Sequence, residues 1–129
     1  MPDANPAKSI LIADDDPAVL QLLVEHYRKL GYQVHSAPDG LQLGIMAPNL
    51  KPDLIITDLV MPAAGGACAY SRLRSSTITR STPVIFLTGI PMDKAREMAP
   101  KAPGIVLLHK MDSMFKKLDE AVAKMIGPA

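Results

Sequence analysis

The chain has 129 residues, the length of one domain with its own hydrophobic core, and its 48% hydrophobic and 21% charged residues are typical of a folded globular protein. The net charge of +1 gives no electrostatic reason to propose nucleic-acid binding, and no apolar run approaches the roughly 18 residues of a membrane-spanning helix. Residues 1–8 lack the apolar core of a signal peptide, so we expect a cytoplasmic protein without membrane insertion, and the single Cys68 excludes an internal disulfide and a cysteine-built metal site.

Five short apolar segments alternate along the chain with five segments of helical spacing. Residues 9–13 are followed by Asp16 and Pro17, a typical helix cap and first helical residue, and Gly31 ends that helix. The second helix is weakened by Gly44, and we expect it to end before Pro48. The predicted strands are residues 9–13, 32–36, 54–57, 84–87 and 105–108, and the predicted helices are residues 17–30, 41–47, 67–75, 92–98 and 112–126.

This alternation predicts an α/β domain with a parallel sheet covered by helices on both faces. Right-handed crossovers leave few topologies, and the flavodoxin-like, doubly wound order 2-1-3-4-5 is the commonest for five strands and five helices. We expect residues 1–8 to form a flexible tail and residues 9–127 to form the domain. We expect no separate output domain within these residues.

Polar side chains stand where these apolar segments end. Asp14, Asp15 and Asp16 follow the first strand, Asp58 the third and Thr88 the fourth, and Lys110 follows the fifth after one further residue. Because ligands collect outside the carboxyl ends of parallel strands, we expect these groups to converge in one crevice. Such a combination predicts a site for a divalent cation and a phosphoryl group.

The chemistry of such a site follows from the residue types. Neighbouring carboxylates repel one another, and Mg²⁺, which prefers carboxylates, phosphate oxygens and water, relieves the repulsion. An aspartate can also accept a phosphoryl group as an acyl phosphate. Lys110 would neutralise phosphoryl oxygens, and the Thr88 hydroxyl would hydrogen-bond one of them. Each residue alone has an ordinary explanation as a cap, a turn residue, a strand end or a surface lysine. The occurrence of all four at the same edge of the predicted sheet favours the phosphoryl-transfer site.

Three motifs carry a resemblance to a known family. Residues 10–17 (ILIADDDP), 52–62 (PDLIITDLVMP) and 82–89 (TPVIFLTG), together with Lys110, strongly resemble the receiver domain of two-component response regulators. The resemblance implies that Asp58 is the phosphoacceptor and that Asp14 and Asp15 hold Mg²⁺, with the backbone carbonyl of Val60 as a further ligand. By the same resemblance, Thr88 and Lys110 would be the switch hydroxyl and the lysine of that family, and we expect Asp16 to cap the first helix instead of binding metal.

The resemblance also implies how such a protein acts. A histidine kinase or a histidine phosphotransfer protein would donate the phosphoryl group, and the phosphorylated form would bind a downstream protein target in a phosphorelay. No direct nucleic-acid contact is expected. The chain would be a signalling domain that catalyses its own phosphorylation and is otherwise not an enzyme.

The chain departs from the family pattern at four places. Met111 follows the lysine where receivers usually have proline, and Leu107 stands where many carry an aromatic residue. The loop after Asp58 lacks the aspartate usually found before its glycine, and the fourth helix is short and bounded by prolines. We therefore expect the usual threonine–aromatic coupling to be replaced by rearrangement of loops and of the fourth helix, or by use of another face.

Two alternative functions remain open at this point. A pseudo-receiver would keep the fold as a constitutive interaction scaffold without a working switch. A haloacid-dehalogenase-like phosphatase would use Asp14 and Asp16 as nucleophile and acid/base pair, but Ala18 stands where such enzymes place threonine or valine.

Overall fold

The computed structural model describes residues 7–61, 66–110 and 114–129. Five parallel strands form one sheet in the order β2-β1-β3-β4-β5, which confirms the predicted flavodoxin-like topology. The strands are β1 (Ser9–Ala13), β2 (Gln33–Ala37), β3 (Leu54–Asp58), β4 (Val84–Thr88) and β5 (Ile105–His109). The helices are α1 (Pro17–Lys29), α2 (Gly40–Leu50), α3 (Gly66–Ser75), α4 (Met92–Met98) and α5 (Met114–Ile126).

The sheet separates two apolar layers because successive strand residues point to opposite faces. Leu11, Ile55 and Phe86 face one side, where they pack with buried residues of α2, α3 and α4. Ile10 and Ile56 face the other side and pack with residues of α1 and α5. The central strands β3 and β4 are buried along their whole length. A rigid central sheet therefore holds the carboxyl ends of its strands in fixed register.

The first helix begins as the sequence predicts. Asp16 accepts a hydrogen bond from the Ala18 amide at 3.0 Å, and Pro17 occupies the first helical position. This hydrogen bond confirms the role of Asp16 as a helix cap. After the helix, Gly31 adopts a φ of 97°, a left-handed conformation that favours glycine.

Two predicted elements had wrong boundaries. The second helix was expected to end before Pro48, yet α2 continues through it to Leu50. Burial of Leu43 and Ala47 against the sheet outweighs the hydrogen bond that proline cannot donate, and Lys51 closes the helix in a left-handed conformation with a φ of 51°. The second strand lies one residue later than expected, at Gln33–Ala37.

The remaining elements follow the prediction closely. The fourth helix spans the predicted seven residues. Residues 111–113, which include Met111 and the predicted first residues of the last helix, and residues 62–65 of the loop after β3 lie outside the described part of the chain. Within the described part, every helix is too short or too polar to cross a membrane.

Candidate functional site

The polar residues of interest meet at one edge of the sheet. Asp14 directly follows β1, Asp58 ends β3, Thr88 ends β4 and Lys110 directly follows β5. The strand register pairs Ala13 with Thr57, Asp58 with Leu87 and Thr88 with His109, so the carboxyl ends lie side by side. The convergence expected from the sequence is therefore present in the fold.

Asp14 is a buried carboxylate, 1% exposed. Its Oδ1 accepts a hydrogen bond from the Asp16 amide at 2.9 Å, and its Oδ2 lies 2.6 Å from Lys110 Nζ. Oδ2 nevertheless receives no hydrogen bond of good angular geometry. Burial raises the pKa of Asp14 above its ordinary value, and the Lys110 ammonium and the Asp16 amide oppose that rise.

Lys110 joins the two carboxylates of the crevice. Its Nζ also lies 2.8 Å from Asp58 Oδ2, and its backbone amide donates to the Thr88 carbonyl at 2.8 Å, which fixes the start of the side chain against β4. Burial lowers the pKa of Lys110, but the contacts with Asp14 and Asp58 outweigh burial and raise it overall. The lysine is therefore held as a charged bridge.

Asp58 lies in the floor of the crevice and is 8% exposed. Its Oδ1 accepts a hydrogen bond from the Val60 amide at 3.2 Å, while its Oδ2 contacts Lys110. The neighbouring Thr88 is fully buried, and its Oγ1 accepts a hydrogen bond from the Ile90 amide at 3.2 Å. Since the hydroxyl acts there as an acceptor, its own proton remains available to donate.

Three carboxylates form a cluster that fits a hard divalent cation. One oxygen from each of Asp14, Asp15 and Asp58 lies within 4.8 Å of the others, and Asp15 is exposed to solvent at the mouth. Mg²⁺ prefers such oxygen ligands and keeps several waters, which an open mouth permits. The buried Asp14 Oδ2, which lacks a well-aligned donor, supports the same reading. With one lysine, the cluster retains two negative formal charges, which a divalent cation neutralises.

The structure brings together most of the residues singled out in the sequence. Asp14, Asp15, Asp58 and Lys110 share the crevice, and Thr88 ends the adjoining strand. Asp16 turns to cap α1 instead. Two contacts were not foreseen: the lysine bridge to both carboxylates, and the Val60 amide on Asp58. The second could have been found, because an aspartate at the start of a loop commonly accepts from the amide two residues later.

Comparison with known proteins assigns the family. A model of the response regulator receiver domain matches residues 10–122. The chain belongs to that family. RpaA of Synechocystis, a DNA-binding dual master transcriptional regulator, is 41% identical over 81 residues, which are 63% of this chain and 34% of RpaA. Protein PilH of Pseudomonas aeruginosa is 37% identical over 79 residues, 61% of this chain and 65% of PilH.

A solved structure agrees in fold. The receiver domain of a sensor histidine kinase from Pseudomonas aeruginosa PAO1, with a magnesium ion coordinated in its active site cleft, superimposes with a TM-score of 0.80 at 25% identity. The alignment covers 94% of this chain and 98% of that one. The matched segments span only 34% of RpaA and 65% of PilH, so this chain resembles a part of each of these relatives.

The family assignment settles the fold class and the general function. The chain is a response regulator receiver domain, a signalling domain of two-component systems with an acidic pocket typical of a phosphoacceptor aspartate and of magnesium binding. The match to receivers leaves the phosphatase alternative without support, and the Asp16 side chain that it required as acid/base serves as a helix cap.

Proposed function

We propose that this chain accepts a phosphoryl group on Asp58 from a phosphohistidine donor, with Mg²⁺ as cofactor, and thereby switches its protein–protein contacts in a phosphorelay. The observation that carries the proposal is the contact of 2.8 Å between Lys110 Nζ and Asp58 Oδ2 beside the clustered oxygens of Asp14 and Asp15. This crevice offers a nucleophilic carboxylate, a fixed ammonium and ligands for a divalent cation within one hydrogen-bonded group.

The transfer itself needs positioning and charge neutralisation more than covalent help. An Asp58 carboxylate oxygen forms a bond to phosphorus as the bond from phosphorus to the donor imidazole nitrogen breaks, and the imidazole leaves with that electron pair. The Val60 amide holds Oδ1 of Asp58, which limits rotation of the nucleophile. The Lys110 ammonium, already at the carboxylate, is placed to pair with phosphoryl oxygens.

The metal ligands that we propose are the carboxylates of Asp14, Asp15 and Asp58 and the backbone carbonyl of Val60. When bound, Mg²⁺ would neutralise phosphoryl oxygens. Support comes from the carboxylate cluster, whose oxygens lie within 4.8 Å of one another, and from the magnesium bound in the cleft of the similar receiver domain. A bound cation would stabilise Asp14 most, because the buried Oδ2 of this carboxylate lacks a well-aligned hydrogen-bond donor.

Thr88 and Lys110 would report the new charge on Asp58 to the rest of the domain. The buried Thr88 hydroxyl has a proton to donate to a phosphoryl oxygen. Its oxygen also accepts a hydrogen bond from the amide of Ile90, which lies at the start of the loop between β4 and α4. A rotation of Thr88 towards Asp58 would release that amide. Leu107 is only partly buried and packs at the margin of the core beside α4. This supports rearrangement of the β4–α4 loop in place of threonine–aromatic coupling.

The cellular role that we propose follows from this chemistry. Residues 9–127 act as the receiver unit, in the cytoplasm, and exchange a phosphoryl group with a histidine kinase or histidine phosphotransfer protein before binding a downstream target. The domain catalyses its own phosphorylation and performs no metabolic reaction. Direct contact with nucleic acid or membrane forms no part of the role.

Beryllofluoride, which mimics a phosphoryl group on an aspartate, tests the proposal by amide NMR. With Mg²⁺ present, shifts should change at Asp58, Thr88 and Lys110 and continue into the β4–α4 loop at Ile90. The variant Asp58→Asn should show none of these changes. Changes confined to the immediate Asp58 pocket would contradict the proposed loop switch, and no change in the wild type would contradict phosphoacceptor function.

A further inference from the structure

His109, the last residue of β5, lies beside Thr88, the last residue of β4. The register of the two strands pairs these residues, and the Lys110 amide donates to the Thr88 carbonyl at 2.8 Å. Neighbouring strands lie about 4.8 Å apart, and paired residues of a parallel sheet direct their side chains to the same face. The imidazole of His109 is therefore a neighbour of the Thr88 side chain at the carboxyl edge of the sheet.

The face of the sheet that His109 shares is the one covered by α4 and the loop before it. Leu107, two residues earlier on β5, packs against the same apolar cluster as Ile90 of that loop and Met92, the first residue of α4. His109 and Met92 also line one cleft. Because side chains two apart on a strand lie on the same face, the imidazole is placed beside the β4–α4 loop.

The Nδ1 atom of His109 is a buried polar atom without a partner. It is shielded from solvent, and none of the residues that the structure describes forms a hydrogen bond with it. A neutral imidazole has one nitrogen that donates and one that accepts, so in the tautomer with hydrogen on Nε2 this Nδ1 is an unused acceptor. Buried polar atoms are seldom left unpaired, and each exception requires a physical reason.

The Ile90 amide loses its acceptor when the proposed switch operates. In this structure the amide donates to Thr88 Oγ1 at 3.2 Å. Rotation of Thr88 towards a phosphoryl group on Asp58 would break that hydrogen bond and leave the amide of a partly buried residue unpaired, which is unfavourable. The unused Nδ1 of His109 is an acceptor on the same face of the sheet, beside the same threonine.

We propose that His109 is a positioning residue of the switch, whose Nδ1 accepts the Ile90 amide once Thr88 has turned towards a phosphoryl group. This exchange of acceptors rests on the proposed phosphorylation of Asp58, which draws the Thr88 hydroxyl away from the amide. The new hydrogen bond holds the β4–α4 loop in its second position. It couples that loop to the end of β5, where Leu107 supplies no aromatic side chain.

A scalar coupling across the new hydrogen bond tests this directly by NMR of nitrogen-labelled protein. The coupling between the Ile90 amide nitrogen and His109 Nδ1 should be absent with Mg²⁺ alone and present with Mg²⁺ and beryllofluoride. Beryllofluoride-dependent shifts at Asp58 and Thr88 without this coupling would overturn the exchange of acceptors and leave phosphoacceptor function standing. No shifts at Asp58 would overturn both.

Variants of His109 separate hydrogen bonding from packing. His109→Phe keeps a planar ring but removes the acceptor, so the affinity for beryllofluoride in Mg²⁺ should fall about tenfold, a typical effect of leaving a buried amide unpaired. His109→Asn, whose Oδ1 is an acceptor at a similar distance from the backbone, should restore most of the affinity. The matched control is His35→Phe in the edge strand β2, which should leave the affinity unchanged. Wild-type affinity in His109→Phe, or an equal loss in His109→Asn, would overturn the proposal.

Discussion

Replacing Lys110 by methionine removes the ammonium that contacts both Asp14 and Asp58. Its Nζ lies 2.6 Å from the first carboxylate and 2.8 Å from the second. At an effective dielectric constant of about 20, each contact has an attraction of about 6 kcal/mol, most of which the desolvation of the charged groups offsets. The Lys110→Met variant therefore leaves two largely buried carboxylates without their counter-charge.

The net cost should be about 3 kcal/mol of unfolding free energy. Removing one partner of a buried ion pair costs about 3–5 kcal/mol, and the lower end applies because the Lys110 side chain remains 18% exposed. Mg²⁺ should recover part of this loss, since the variant has no ammonium competing for the carboxylates. If the variant binds Mg²⁺ ten times more tightly than the wild type, the difference in their unfolding free energies should be about 1.4 kcal/mol smaller at saturating Mg²⁺.

Urea unfolding followed by circular dichroism at neutral pH, in EDTA and in magnesium chloride, measures both quantities. The matched control is Lys116→Met, which removes an exposed ammonium from α5 and should change stability by less than about 0.5 kcal/mol. The reasoning fails if Lys110→Met is no less stable than the control in EDTA. It also fails if Mg²⁺ stabilises the variant no more than the wild type.

Three further predictions concern other parts of the structure. Tyr27→Phe removes the 2.8 Å hydrogen bond from the Tyr27 hydroxyl to Asp119. Because burial raises the pKa of Tyr27 in the folded state, the tyrosine of the unfolded chain ionises first as the pH rises, and the wild type should lose about 1 kcal/mol of its stability advantage over the variant between pH 10 and 11. Urea titrations at the two pH values measure this difference, and an unchanged advantage would contradict the prediction. Val60→Asn should increase the rate of acyl-phosphate hydrolysis about tenfold, because the exposed valine beside Asp58 cannot position an attacking water and an asparagine can. Mass spectra taken at successive times measure the rate, and equal rates in variant and wild type would contradict the prediction. Asp16→Ala should lower the unfolding free energy by about 1 kcal/mol through loss of the α1 cap, and a change below about 0.3 kcal/mol would show that the cap is not used.

The parts of the structure that local sequence determines were predictable. Strand order and the convergence of Asp14, Asp58, Thr88 and Lys110 follow from apolar runs, their polar ends and the handedness of crossovers. The cap at Asp16 follows from its position before proline. These features need only residues within one element, together with rules that hold for parallel sheets in general.

Features that depend on tertiary packing were not predictable in the same way. The continuation of α2 through Pro48 depends on burial against the sheet, which no local propensity contains. His26 lies beside Asp119, 2.9 Å away across 93 positions of sequence, so its partner could not be named from the chain. The exposure of β5 likewise depends on how little of the edge its neighbouring helices cover.

Intact mass spectrometry after incubation with acetyl phosphate tests the central claim most directly. Wild type and Asp58→Ala are each measured with Mg²⁺ and with EDTA. The account predicts a single added phosphoryl group that requires both Mg²⁺ and Asp58. No adduct on the wild type in Mg²⁺ would contradict it and favour a constitutive scaffold, and an adduct that persists in Asp58→Ala would show that the phosphoacceptor is another residue.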